Sequence, residues 1–165
     1  MEFLLAIPER RVTLPGGGRA SQSDLWILAR TDTGLAAITV EGKVGESFGP
    51  TVGEWREEES AGKRVRLAFL CERLGLVGEP DKDLRYQLLH RTVSALLEAE
   101  RYHARHAVMI VHSFSQSHVG YDDYRTFATL LGGAAKEGRL VSIPRSNFPT
   151  LHLGWAQGNA RYLDV

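Results

Sequence analysis

The continuous apolar run Ala107-Val108-Met109-Ile110-Val111 constrains this chain most. Five successive apolar residues leave no polar face, so a strand here must be covered on both sides, as in the middle of a parallel or mixed sheet. Helices supply such cover, and the sequence offers three. Ala61 to Leu74 stops at Gly75, Asp83 to about Tyr102 has Asp81 or Asp83 as cap, and Tyr121 to Leu131 ends at Gly132-Gly133. Arg11-Val12-Thr13-Leu14 reads as a short first strand, and Leu151 to Trp155 and Arg161 to Leu163 as late edge strands. Gly16-Gly17-Gly18 lacks the Lys-Ser/Thr that follows in a phosphate loop and reads as a bend. The order of elements predicts an α/β fold, a mixed sheet with helices against it. Its 165 residues suit one domain, with no repeat or linker to mark a boundary.

Two further strands, Leu25 to Arg30 and Leu35 to Lys43, flank the turn residues Thr31-Asp32-Thr33-Gly34 and predict a β-hairpin. Asp24 opens it and Glu41-Gly42-Lys43 closes it. With Asp32-Thr33 as a two-residue loop, Asp24 falls opposite Glu41; with Thr33-Gly34 as the loop, it falls opposite Lys43. Both registers put Asp24 on the face of Glu41 and Lys43, because side chains alternate with period two. A three-residue loop turns Asp24 away.

Two carboxylates brought close repel unless a cation sits between them. Oxygen ligands in small number, completed by water, suit Mg²⁺ or Mn²⁺. A neighbouring lysine stabilises phosphate charge or orients the attacking water. The chain has four lysines against sixteen arginines, and Glu41-Gly42-Lys43 is its only acid-x-Lys. The competing reading makes Glu41 and Lys43 edge-strand charges that deter aggregation.

Ser23-Asp24-Leu25 followed by Val40-Glu41-Gly42-Lys43 resembles the PD-(D/E)XK nuclease motif, in which an acid opens one strand and E-x-K closes the next. The run from Val40 to Pro50, with Tyr86 to Thr92, is also similar to a family of small bacterial proteins related to that superfamily. The resemblance implies a restriction-endonuclease-like mixed sheet flanked by helices, with the site on its central hairpin. It implies Mg²⁺- or Mn²⁺-dependent hydrolysis of nucleic acid, DNA foremost. Asp24, Glu41 and the carbonyl of Gly42 would ligate the metal, and Lys43 would serve the water. Gln87 would assist and Arg91 would meet the substrate phosphate. Serine stands here where the motif has proline. Only Met1 to Ile7 precedes Pro8, so the superfamily's first helix is short or absent, or comes from a partner such as a second copy.

The helix that begins near Asp83 carries apolar residues around more than half its circumference, leaving a polar stripe of Gln87, His90, Arg91, Ser94, Glu98 and Arg101. Gln87 and Arg91 either face the site or belong to a solvated stripe with Arg91 paired to Glu98. His90 suits a hydrogen-bonded boundary position better than a catalytic one. Glu46 is expected in solvent, and Trp26, Trp55 and Trp155 in packing. Arg64, Arg66, Arg85, Arg101 and Arg105 are candidates for a phosphate track.

His103 and His106 lack zinc partners at useful spacing, and Ser113, Ser115 and His118 lack a nucleophile elbow. The single cysteine, Cys71, excludes an internal disulfide and reads as core packing. No apolar segment approaches membrane-spanning length, so a cytoplasmic protein is expected. The formal net charge is zero, with 20 basic and 20 acidic residues, so a nucleic-acid surface must be local. A non-catalytic nucleic-acid or protein interaction module on the same fold is the alternative function.

Overall fold

The computed structural model describes residues 1–146 and 148–163. Strands β1 (Glu2–Val12), β2 (Ser21–Thr31) and β3 (Gly34–Lys43) form an antiparallel meander. Strand β4 (His106–Ser113) runs parallel to β3, and β6 (Thr150–Gln157) runs parallel to β4. Strand β5 (Leu140–Ile143) adds antiparallel to β6, giving one six-stranded mixed sheet in the order β1-β2-β3-β4-β6-β5. Helices α1 (Val52–Arg56), α2 (Ala61–Leu74) and α3 (Tyr86–Arg101) lie between β3 and β4, and α4 (Tyr121–Leu130) follows β4. The protein is therefore an α/β fold with a mixed sheet flanked by helices.

The hairpin turn is the two-residue kind: Thr31 pairs with Gly34 around Asp32-Thr33, and Thr31 Oγ1 donates to Gly34 O at 2.8 Å. Gly34 takes φ 138°, a conformation that favours glycine. Helix α2 ends where expected, on Gly75 in the left-handed region at φ 72°. Helix α3 starts at Tyr86 rather than Asp83, because the chain turns at Lys82–Leu84 and extends at Arg85 to receive α1. Leu84 O accepts from Val52 N–H at 2.7 Å, and Arg85 bridges Thr51.

The main core lies between α3 and one face of the sheet. Leu89, Val93, Leu96 and Ala99 are fully buried in a cluster with Trp26, Ala37, Met109 and Val111. Each buried leucine contributes about 2 kcal/mol relative to exposure. On the opposite face Ala29, Ala36, Ile38 and Val108 make a smaller cluster with half-buried Ile27, Val40 and Ile110. Both parities of β4 are thus in apolar contact, which explains its uninterrupted apolar sequence.

Three expectations need correction. The first strand begins at Glu2, not Arg11, and includes Pro8, whose missing N–H is tolerable because β1 is a sheet edge. No helix precedes β2 among the described residues, which is one of the outcomes the sequence left open. Leu151 to Trp155 belongs to an interior strand, not an edge, because β5 covers its far side. Arg161 to Leu163 is no strand: Ala160–Tyr162 form a single 3₁₀ turn capped by Asn159. No helix among the described residues is long and apolar enough to cross a membrane.

Candidate functional site: a buried carboxylate among cations

Glu41 and Lys43 sit at the end of β3, where their odd-numbered positions point toward α3 together with Ala37. Strand β4 continues alongside, pairing Glu41 with Val111 and Lys43 with Ser113. Both charged side chains are buried, Glu41 at 5% and Lys43 at 6% exposure. They are not the solvated edge charges of the competing reading.

Burial of a carboxylate demands partners, and α3 supplies them. Gln87 Nε2 donates to Glu41 Oε1 at 2.5 Å, and Arg91 Nε donates to Oε2 at 2.5 Å. Lys43 Nζ completes the cluster 3.2 Å from Oε1. Gln87 and Arg91 are one helical turn apart, so both reach the same carboxylate. A relay continues outward: Arg91 Nη1 donates to Ser21 Oγ at 3.0 Å, and Ser21 lies 2.9 Å from His90 Nδ1. Burial, with Arg91 and Arg66 nearby, pushes the His90 pKa down to about 3.

The polar stripe of α3, apart from exposed Arg101, faces the sheet rather than solvent. Arg91 pairs with Glu41, not Glu98. Glu98, 1% exposed, instead takes Arg10 at 3.0 Å and Arg101 at 3.4 Å. Glu46 is exposed as expected, and its carboxylate accepts the N–H groups of Gly45 and Val44 at 3.0 Å. The Gly45 bond is the main cause of its lowered pKa.

Asp24 stands apart from this cluster. It is exposed, and its Oδ2 accepts from Gly42 N–H at 2.6 Å. The register points Asp24 at Glu41, but pairing of β2 with β3 stops at Leu25–Val40. Side-chain alternation in β2 breaks there. Ser21 faces α3, and Ser23 is buried opposite Arg10, which also reaches α3; yet Trp26, of the other parity, faces α3 too. Two consecutive residues, Asp24 and Leu25, therefore turn away from α3. A Cβ added to Gly42 would meet Asp24 Oδ2 at 3.3 Å, which places that carboxylate on the Gly42 side of β3, behind Glu41. The distortion is mirrored in β1, where Glu9 takes φ 55°.

As they stand, these residues do not fit a divalent cation. The Glu41 oxygens face two cations and an amide, and Asp24 lies on the other face. Among the described residues no three His, Cys, Asp or Glu side chains are placed to hold a metal ion.

What surrounds the cluster is cationic. Three hollows adjoin at His90. One, about 450 Å³, lies between the Gly16–Ala20 segment and α2; a second lies beside Lys43 and Phe48, and a third beside Arg11 and Arg91. Their walls carry Arg11, Arg19, Lys43, Lys63, Arg66 and Arg91, and no aspartate or glutamate.

Of the arginines expected to form a phosphate track, only Arg66 reaches this region. Arg64 pairs with Glu59, Arg85 with Asp123 and Arg101 with Glu98, while Arg105 donates to Thr33 O. Trp26 and Trp155 are core residues, but Trp55 is half-buried and walls the hollow between the Gly16–Ala20 segment and α2, stacked on Tyr86 at 4.0 Å. Arg19, Lys63 and Ser21 were not legible as site residues. The one local signal was Arg19 directly after the glycine run.

A family model described as "Domain of unknown function (DUF6946)" matches residues 1–160. The chain belongs to the DUF6946 family. No curated protein and no solved structure matches it. The site of this DUF6946 protein thus stands on its own geometry: Glu41, Lys43, Gln87 and Arg91 converge, Asp24 does not, and basic hollows surround them.

Proposed function

We propose that the chain is a nucleic-acid-binding domain of the restriction-endonuclease-like type that holds the phosphodiester backbone against the Lys43–Arg91 corner. The observation that carries this reading is the charge separation: six basic residues line three adjoining hollows without one carboxylate, in a chain of zero formal net charge. Phosphate contacts of this kind supply sequence-independent affinity. The hairpin-borne acid and E-x-K, and a helix between β3 and the parallel β4, support the fold assignment.

Fluorescence anisotropy with a labelled single-stranded oligonucleotide tests it. About four phosphate contacts give a log–log salt slope near −3, so affinity falls about 50-fold between 50 and 200 mM NaCl. No binding at 50 mM, or binding indifferent to salt, ends the proposal.

A second reading, Mg²⁺- or Mn²⁺-dependent hydrolysis of DNA, is favoured by one observation: Gln87 of α3 rests directly on the glutamate of E-x-K. Metal binding would require Asp24 to leave Gly42 and Glu41 to release Arg91. Thermal unfolding with millimolar metal tests it. A metal at 100 times its Kd raises stability by about 2.7 kcal/mol, a shift that Glu41→Ala abolishes. Absence of a shift, together with no cleavage under either metal, removes the nuclease reading and leaves the binding module.

A further inference from the structure

The hollow of about 450 Å³ beside the start of α2 has features that the backbone-binding reading does not use. It is walled by the Gly16–Ala20 segment on one side, and by Ser60, Gly62 and Lys63 of the α2 start on the other. Arg66 organises the segment. Its guanidinium donates to the carbonyls of Pro15 at 3.0 Å, Arg19 at 2.8 Å and Leu14 at 3.3 Å, and also to Gly17 O. Gly16 and Gly62 approach so closely that neither has room for a Cβ, which ties the segment to α2.

With its carbonyls turned onto Arg66, the segment leaves the N–H groups of Gly16, Gly17 and Gly18 without a hydrogen-bond partner among the described residues. All three glycines have φ between 72° and 85°, a conformation that bulkier residues resist. Successive free N–H groups in such a turn form an anion-binding concavity. Arg19 and Lys63 stand at the same hollow with no ion pair or hydrogen bond from their side chains; Lys63 Nζ rests 5.5 Å from the centre of the Trp55 ring.

Three cations and no carboxylate therefore face one hollow of about 450 Å³. A phosphodiester brings one negative charge, whereas a phosphate monoester brings about −1.5 to −2 at neutral pH with three acceptor oxygens. The charge balance favours the monoester. Trp55 and Tyr86 add a flat aromatic wall, which suits a base or sugar attached to that phosphate. Ser21 connects the hollow to the Glu41 corner, since it lines the hollow and accepts from Arg91.

We propose that this hollow holds the terminal phosphate monoester of a nucleic-acid strand, with Arg19, Lys63 and the Gly16–Gly18 N–H groups as its donors. The inference rests on the backbone-binding reading and adds the form of the substrate, a phosphorylated strand end.

The test compares ten-nucleotide DNA bearing a 5′-phosphate, a 3′-phosphate or no terminal phosphate. Proteins are the wild type, Arg19→Gln/Lys63→Gln and, as a cation removed far from the site, Arg30→Gln, with thermal unfolding to verify that each is folded. One phosphorylated form is expected to bind the wild type about ten-fold more tightly than the unphosphorylated one. The double variant should lose that preference and Arg30→Gln should retain it. Equal affinity for all three DNAs, or a preference that survives in the double variant, overturns the inference while backbone binding stands. Binding of none of them overturns both. A nucleoside monophosphate that binds as tightly as the phosphorylated strand, and loses affinity in the double variant, replaces the strand end with a free mononucleotide.

Discussion

Arg91 Nε lies 2.5 Å from Glu41 Oε2 across the layer between α3 and β3, with only 11% and 6% of the two side chains exposed. Removing one partner of a buried ion pair leaves the other charge uncompensated, at about 3–5 kcal/mol. Arg91→Ala is therefore expected to lower stability by about that amount in urea unfolding. Combining it with Glu41→Gln should cost at least about 1 kcal/mol less than the sum of the single changes, because the two share one interaction. Additive losses would show that the pair is not coupled.

His90 makes stability depend on pH. Its folded pKa is lowered to about 3 from an ordinary 6.5, so between those values the unfolded chain binds a proton that the folded one excludes. The stability it permits is complete above pH 6.5 and falls as pH drops, by about 1.4 kcal/mol per unit. From pH 7.5 to 5.0 the loss is about 2 kcal/mol. His90→Asn, which cannot take up that proton, should flatten the profile by this amount. Parallel profiles for wild type and variant would contradict the buried neutral imidazole.

Arg66 is expected to set the order of the Gly16–Ala20 segment. Arg66→Ala removes charged donors from four carbonyls and should cost about 2–4 kcal/mol. Limited proteolysis should then cut between Thr13 and Ala20. Arg66→Lys keeps the charge but not the planar fork, and should recover less than half of the loss. Wild-type protection of the segment in Arg66→Ala would show that Gly16 and Gly62 hold it without the guanidinium.

The hairpin was the most legible part of the fold. Turn chemistry between Thr31 and Gly34 and strand propensity on both sides place the hairpin and leave a few registers, of which the structure takes the Asp32-Thr33 loop and keeps it as far as Leu25–Val40. Period two then misleads, because the break in alternation between Ser23 and Trp26 depends on how β1 pairs and twists, which local sequence does not encode. Asp24 accordingly caps Gly42 rather than joining Glu41. The inward turn of Gln87 and Arg91 was legible as one of two choices. The choice against Glu98 was settled by Arg10, 88 positions away from it in sequence. The basic hollows were the least legible feature. Arg19, Lys63 and Lys43 come from three separate elements, and the glycine run acquires its shape from Arg66 on α2. Charge counted along the chain sums to zero and hides such local segregation.

The most direct test of the account is the salt dependence of oligonucleotide binding in wild type and Lys43→Gln. A lysine that neutralises one phosphate contributes about 0.7 to the log–log slope on a single strand. The account predicts weaker binding by Lys43→Gln together with a slope shallower by about that amount. An unchanged slope and affinity would place the backbone elsewhere and contradict the assignment of the Lys43–Arg91 corner.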